Sequence, residues 1–374
     1  MPRVLVDLLG FTGKRGGTET YAREIISRLS ARMPGTDFVA LTGRAGTDSV
    51  AMFFPGEVLV APAVGEGPAS WALGEIFATN RRARRAGADL VWSTANFGPL
   101  RAGVNRVLTV HDMIYNEVRG TTLRERMTRS VTSRLTARSA RSARSVITVS
   151  EAAARAIQER LAIPPQRITV VPNGSSEPPT ATDSASLASL GIADGRQVVL
   201  STGNRMSHKN FDGLLAAVAQ IPADERPLVV IPGSHGEDPL QRTAVRLGLQ
   251  RDVLLPGWVS SVTLEALYAR AQVYVCPSLT EGFGLPVVDA LRRGTAVLAN
   301  DVPVLREVGG PAASYADAQD AHAFSEALRR LLEAPSDTAS EQRRAWARQF
   351  TWDRSADGTA RVLLAALEES HAQR

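Results

Sequence analysis

Cysteine is nearly absent: Cys276 stands alone among 374 residues. This excludes a disulfide framework within the chain and any cysteine-rich zinc module, and it suits a reducing compartment. Lysine is scarce as well, because Lys14 and Lys209 are the only two among 43 cationic residues. No apolar run approaches the roughly 18 residues that span a bilayer. The opening residues 4–9 are interrupted by Asp7 and followed by a Gly-rich loop, so they read as a buried strand and not as a signal peptide. A cytoplasmic location is expected. Aromatic residues make up 5% of the chain and none lies between residues 119 and 144, the most Arg-rich stretch. A nucleic-acid binder that stacks bases on such a stretch is therefore not expected.

What is present is ordinary globular composition, 44% hydrophobic and 22% charged. The length exceeds a single core and suits two domains. The net charge of +5 is unevenly spread: residues 1–180 hold 24 cations against 15 acids, and the rest 19 against 23. From Arg119 to Arg144 eight arginines face only Glu125, and Arg81, Arg82, Arg84 and Arg85 form a second cluster. The two halves should meet different partners.

Short β-branched runs alternate with helical patterns, the rhythm of a doubly wound parallel sheet. Strands are expected at 4–8, 38–42, 90–93, 106–111, 146–149 and 168–171, with helices at 21–30 and 151–161. A Pro- and Ser-rich connector follows over 172–186. The rhythm then restarts, with strands at 197–202, 228–232, 253–255, 273–276 and 296–299. Helices fit 211–220, 240–247, 262–270, 286–293, 321–333 and 353–370. The expected organisation is an α/β chain of two Rossmann-like domains, 1–178 and 179–350, and a C-terminal helical segment, 351–374, packing back toward the first. Ligands of open α/β sheets sit beyond the carboxyl ends of the strands, so facing domains of this kind would form a cleft.

The densest chemical signal is PSLTEGFGLPVVDALRRG, from Pro277 to Gly294. A strand runs into a loop containing Glu281, Gly282, Phe283, Gly284 and Leu285, and Pro286 stands where a helix begins. Backbone N–H groups and the helix dipole there favour an anionic ligand such as a phosphate. Asp289 lies a turn further on, placed to bond hydroxyls of whatever carries that phosphate. A plain strand-loop-helix turn would use the same residues. The second signal is LSTGNRMSHKN, from Leu200 to Asn210, where Gly203 and Asn204 turn the chain and Arg205 and Lys209 offer a planar fork and a compact ammonium.

In the first half, Lys14, Gly16 and Gly17 follow the first strand, and Thr18 is expected to cap the next helix. This is not the G-x-G-x-x-G fingerprint, so hydride transfer on NAD is disfavoured. VHDMIY places His111, Asp112 and Tyr115 at a strand end. The remaining histidines form no metal-ligand spacing, and no metal site is expected.

GGTETY, VHDMIY, VITVSEAAARAI, VVPNG, GNRMSHKN, VLLPGWVSSVTLEALYARA, PSLTEGFGLPVVDAL and FTWDRSA, in this order over nearly the whole chain, resemble the retaining glycosyltransferases of family 4. The resemblance implies the GT-B fold and transfer of a hexosyl group from a nucleotide-diphosphate sugar to a hydroxyl acceptor, with no cofactor and no metal. It assigns Glu281 to the transferred sugar, Arg205 and Lys209 to the diphosphate, and His111 to the donor sugar. The family pattern has a second Glu where this chain has Asp289, one methylene shorter, at the position that holds the ribose.

The GN-x3-HKN pattern leans toward the mannosyl and rhamnosyl branch, hence GDP-mannose first and UDP- or dTDP-sugars next. Gly16, Gly17, Gly203, Asn204, Gly282, Phe283, Gly284 and Leu285 are the expected donor contacts, and Lys14, Asp112 and Tyr115 the acceptor contacts. The acceptor is expected to be a glycan, natural-product or lipid-linked hydroxyl. The arginine surplus of the first half would suit an anionic acceptor or a peripheral membrane contact. A glycoside phosphorylase of the same fold and a non-catalytic nucleotide-sugar binder are the competing expectations.

Overall fold

The computed structural model describes residues 1–13, 16–101, 103–114, 123–179, 184–192, 195–334 and 339–372. Two compact units emerge, one of residues 1–174 with 351–374, the other of residues 175–350.

Among the described residues the first unit holds seven strands: β1 (Arg3–Leu8), β2 (Asp37–Gly43), β3 (Glu57–Ala61), β4 (Leu90–Ser93), β5 (Asn105–Val110), β6 (Ser145–Thr148) and β7 (Ile168–Val170). They form one sheet in the order β3-β2-β1-β4-β5-β6-β7, and each pairing is parallel. Helices cover both faces of such a sheet, so its central strands should be apolar throughout. Val4, Leu5 and Val6 on β1 and Leu90, Val91 and Trp92 on β4 are accordingly inaccessible.

The helix Gly17–Arg32 starts at Gly16, with no side-chain cap. Thr18, expected as the cap, lies inside the first turn instead. The helix Trp352–Ala372 belongs to this unit. Its residues 352, 356, 360, 363 and 367 recur every three or four positions and are all buried, the stripe that a helix docked on one side requires. Arg32 Nη2 reaches Asp353 Oδ1 at 2.6 Å and also pairs with Asp357.

The second unit holds β8 (Val198–Leu200), β9 (Leu228–Val230), β10 (Val253–Leu254), β11 (Val273–Cys276), β12 (Ala296–Asn300) and β13 (Ser314–Ala316). Their order is β10-β9-β8-β11-β12-β13, again with parallel pairings. Phe211, Leu214, Leu215, Val218, Phe324 and Leu328 pack from two helices onto Val199, Val273 and Val275.

Two strands escape sequence reading, β3 and β13. Both lie at sheet edges, and their residues are mostly half-buried. An edge strand buries less surface, so the periodicity that betrays a central strand weakens there.

Candidate functional site

Both sheets reverse strand order once, between β1 and β4 and between β8 and β11. At such a reversal the two flanking loops leave in opposite directions and open a crevice beyond the strand ends.

In the second unit, the chain after β8 passes Gly203 and the turn Ser207–Lys209 and enters the helix Phe211–Ala219. Asn210 adopts left-handed backbone (φ 51°), with its side-chain amide donating to the Ala318 carbonyl at 3.0 Å. After β11 the chain reaches Gly284 (φ 95°) and the helix Leu285–Arg292, with Pro286 in its first turn. The Leu279 N–H donates to the His208 carbonyl at 2.7 Å and ties the two loops together.

Across these loops Lys209 Nζ donates to Glu281 Oε1 at 2.6 Å. The two side chains are 17% and 10% exposed, so little water screens the pair. Burial alone would push the Glu281 carboxyl up. The charge and hydrogen bond of Lys209, aided by Ser278 and His208, outweigh burial and hold it below the usual Glu range. A carboxylate and an ammonium thus stand together at the strand ends of the reversal.

Arg205 is turned inward. Its Nε lies 3.0 Å from both Asp238 oxygens, and its Nη2 donates to Asp238 Oδ2 and the Ile231 carbonyl, each at 2.6 Å. Nη1 donates to the Gly203 carbonyl at 2.7 Å, and the guanidinium lies 5.1 Å from the centre of the Phe211 ring. Arg205 therefore braces the loops after β8 and β9. Asn204 is exposed, and its side-chain oxygen accepts from the Met206 N–H at 3.3 Å.

Asp289 lies in the second turn of its helix and accepts from Ser175 Oγ. Burial raises its carboxyl, with Ser175 and Arg293 opposing. Phe283 is 4% exposed and packs edge-on against Phe350 at 5.6 Å. Its side chain is therefore part of the core, and a ligand at this loop would meet the backbone of Gly282 and Gly284. A Cβ at Gly284 would lie 2.9 Å from Leu305.

Gly203 belongs to a packing feature that its own motif does not show. Gly203, Gly233 and Gly257 follow β8, β9 and β10, each with positive φ (146°, 108° and 75°). The Gly233 N–H donates to the Gly257 carbonyl at 2.8 Å, and a Cβ at Gly233 would come within 2.6 Å of the Gly203 carbonyl oxygen. This close packing of backbone presents Trp258, 59% exposed, stacked on His235 with ring centres 5.0 Å apart at 12°. The Gly-Trp step directly after a strand was the available signal.

In the first unit, His111 follows β5. Its Nε2 donates to the Thr94 carbonyl at 2.8 Å, and its backbone N–H donates to Asn96 Oδ1 at 2.7 Å. The ring meets Tyr21 edge-on at 4.7 Å, and burial lowers its pKa to about 4. His111 is thus neutral, and the carbonyl acceptor fixes the proton on Nε2. Asp112 Oδ1 accepts from the Ile114 N–H at 3.2 Å. Gly16 and Gly17 are exposed, and a Cβ at Gly16 would meet nothing within 4 Å. Lys14 and Tyr115 lie outside the described residues.

Residues 15–176 match the family model Glycosyltransferase Family 4, and residues 183–350 match Glycosyl transferases group 1. Among curated proteins, the O-antigen chain mannosyltransferase B of Escherichia coli is 34% identical over 160 residues, 41% of this chain and 42% of that one. A D-inositol 3-phosphate glycosyltransferase of Streptomyces avermitilis is 32% identical over 206 residues, 49% of this chain and 43% of that one. The matched stretch thus spans less than half the length of either relative. Solved structures align over nearly everything: a sucrose-phosphate synthase of Thermosynechococcus elongatus gives a TM-score of 0.76 at 19% identity, covering 98% of this chain and 100% of that one. Anabaena Alr3699/HepE in complex with UDP and glucose gives 0.75 at 19% identity with the same coverage.

Proposed function

We propose, from the premise that the chain belongs to the GT-B glycosyltransferases of family 4 and group 1, that it moves a hexosyl group from a nucleotide-diphosphate sugar to a hydroxyl acceptor. The observation that carries this reading is the largely enclosed Lys209–Glu281 pair at the strand reversal of the second unit. That unit is proposed to take the donor and the first unit the acceptor.

The chemistry follows from where charge develops. Breaking the bond between the anomeric carbon and the diphosphate places negative charge on the leaving phosphate and positive charge on the sugar ring. Lys209 would move its hydrogen bond from Glu281 to the phosphate, joined by amides at the head of the helix Leu285–Arg292. Glu281, released, would accept from sugar hydroxyls. Asp289 would accept from the ribose. Its shorter side chain suits the arrangement because Ser175 already orients it.

In this reading Arg205 acts through the loop it braces, or reaches the diphosphate by exchanging Asp238 for phosphate. His111, its Nε2 proton held by the Thr94 carbonyl, would accept at Nδ1 from a sugar hydroxyl without changing charge near neutral pH. The acceptor oxygen attacks from the face the nucleotide leaves, its proton passes to the departing phosphate, and configuration is retained. Side-chain and backbone groups supply the stabilising charge, so turnover should survive chelators.

The base is proposed to lie on Trp258, beside His235. GDP-mannose is the favoured donor, on the sequence pattern and the mannosyltransferase names of relatives, followed by UDP- and dTDP-sugars. Thermal-shift screening of GDP, UDP, dTDP and ADP, then of their sugars with NMR detection of transfer in EDTA, tests the reading. Nucleoside diphosphate release coupled to transfer is the expected result. Sugar release that requires inorganic phosphate would establish the phosphorylase, and binding without turnover would establish a sensor. Trp258→Ala should weaken nucleotide binding by about tenfold or more, the worth of one stacked base, and an unchanged affinity would move the base elsewhere.

A further inference from the structure

The arginine surplus of the first unit is arranged in stripes. Along the helices Pro68–Phe77 and Thr79–Arg85, Leu73 and Phe77 stand four residues apart and are 56% and 70% exposed. The next step of four is Arg81, followed by Arg84 and Arg85, all exposed. Along Leu123–Ser142, Met127 and Val131 are 62% and 53% exposed. Steps of three and four continue to exposed Arg134, Arg138 and Arg141. Residues so spaced share one helix face, so Leu123–Ser142 presents an apolar patch that passes into a cationic one, and the successive helices Pro68–Phe77 and Thr79–Arg85 set an exposed apolar patch directly before an exposed cationic one. Between 73 and 85 the only acid is Glu75, which is 2% exposed, and between 126 and 141 there is none.

The two stripes flank one short segment. Asn80 Nδ2 donates to the Arg101 carbonyl at 3.1 Å, Arg138 Nε donates to the Leu100 carbonyl at 3.3 Å, and Ser139 Oγ accepts from the Gly98 N–H at 2.9 Å. Arg101 on this segment is exposed and adds to the charge.

Their arginine ends lie at the amino edge of the sheet. The carbonyl of Ala86, just past the first stripe, accepts from Arg3 at the start of β1 at 2.7 Å, and that of Ser142 accepts from Arg106, near the start of β5, at 2.8 Å. His111 is five residues beyond Arg106, about 16 Å away along the strand. The arginines are therefore misplaced for an anion reacting at the carboxyl edge. The helices run back against the strands, which puts the apolar ends nearer to that edge.

We propose that this face seats the first unit on an anionic lipid surface. Leu73, Phe77, Met127 and Val131 enter the boundary between headgroups and acyl chains, and the arginines rest on lipid phosphates. A second copy of the chain would oppose the same arginines and be repelled. A nucleic-acid backbone would match the charge but leave four apolar side chains without a medium to enter. The inference is independent of the donor site: loss of nucleotide binding would leave it standing.

Sedimentation with phosphatidylcholine vesicles, with and without phosphatidylglycerol, at low and high salt, tests it. Binding should require the anionic lipid and weaken with salt. R81Q/R84Q/R85Q should lower the partition coefficient about tenfold or more, and L73S/F77S or M127S/V131S should do so at a salt where charge is screened. Each variant should keep the wild-type activity on a water-soluble acceptor. Hydrogen exchange should slow over 73–85 and 126–141 when vesicles are added. Equal binding to neutral vesicles, full binding by the triple arginine variant, or tighter binding to an oligonucleotide than to vesicles would overturn the proposal.

Discussion

Lys209 and Glu281 are separated by 72 residues and joined by one 2.6 Å hydrogen bond; each sets the other's position and charge. Glu281→Gln keeps the shape and removes the anion. In the proposed mechanism it should lower kcat about a hundredfold or more while changing donor affinity far less, because the lost interaction belongs to the transition state. Steady-state kinetics alongside nucleotide binding separates the two, and an unchanged kcat would remove Glu281 from the chemistry. A different pair, Asp7 and Glu75, faces each other in the first unit, fully enclosed. Burial raises both carboxyls, and their mutual repulsion raises Glu75 further, against donation from Trp71 Nε1 at 2.8 Å and Thr79 Oγ1 at 2.9 Å. A carboxyl raised on folding contributes most stability when protonated and loses it as pH climbs through its folded value. Denaturant titrations from mildly acidic to mildly alkaline pH should show that decline. Glu75→Gln should flatten it, and an unchanged slope would show that the pair does not titrate in this range. The chain order shows none of these partnerships. Lys209 and Glu281 each stood out within a local motif, but Asp238, which holds Arg205, and Glu75 sit in stretches with no pattern, and only the topology brings them to their partners.

The elements that place these groups were mostly legible, since central strands of a parallel sheet are buried on both faces and read as continuous β-branched runs. Val273–Cys276 and Leu90–Ser93 stand where the sequence put them. The edge strands Glu57–Ala61 and Ser314–Ala316 did not stand out, for want of that double burial. Loops were read less well than strands. Gly203, Gly284 and the expected cation and carboxylate came from motifs, while Gly233 and Gly257 drew no notice, because their importance lies in backbone packed on backbone across three strand ends. Gly233→Ala joins an unfavourable φ of 108° to a Cβ 2.6 Å from the Gly203 carbonyl. It should cost about 1–3 kcal/mol, lower the Tm, and weaken nucleotide binding through the displaced loop. A variant with wild-type Tm and affinity would show that these strand ends tolerate separation.

At the scale of the molecule, the two units share one architecture and place different groups on it. Each reverses strand order once and has polar groups at the strand ends beside or at that point: a neutral, carbonyl-bonded His111 after β5 in the first and a largely enclosed ion pair in the second. The uneven charge of the sequence is not spread over these sites. In the first unit much of it gathers in two exposed helical stripes at the amino edge of the sheet, a distribution that composition reported but could not locate. In the second unit the cations named by motif are engaged by carboxylates, Arg205 by Asp238 and Lys209 by Glu281. Donor binding in the proposed mechanism therefore turns on whether Lys209 exchanges its carboxylate for a phosphate. Isothermal titration of nucleoside diphosphate into the wild-type chain and into Lys209→Met addresses this directly. Loss of one charge-assisted contact predicts affinity weakened about 10- to 100-fold with the fold intact. Equal affinity in the two proteins would place the diphosphate elsewhere and contradict the account.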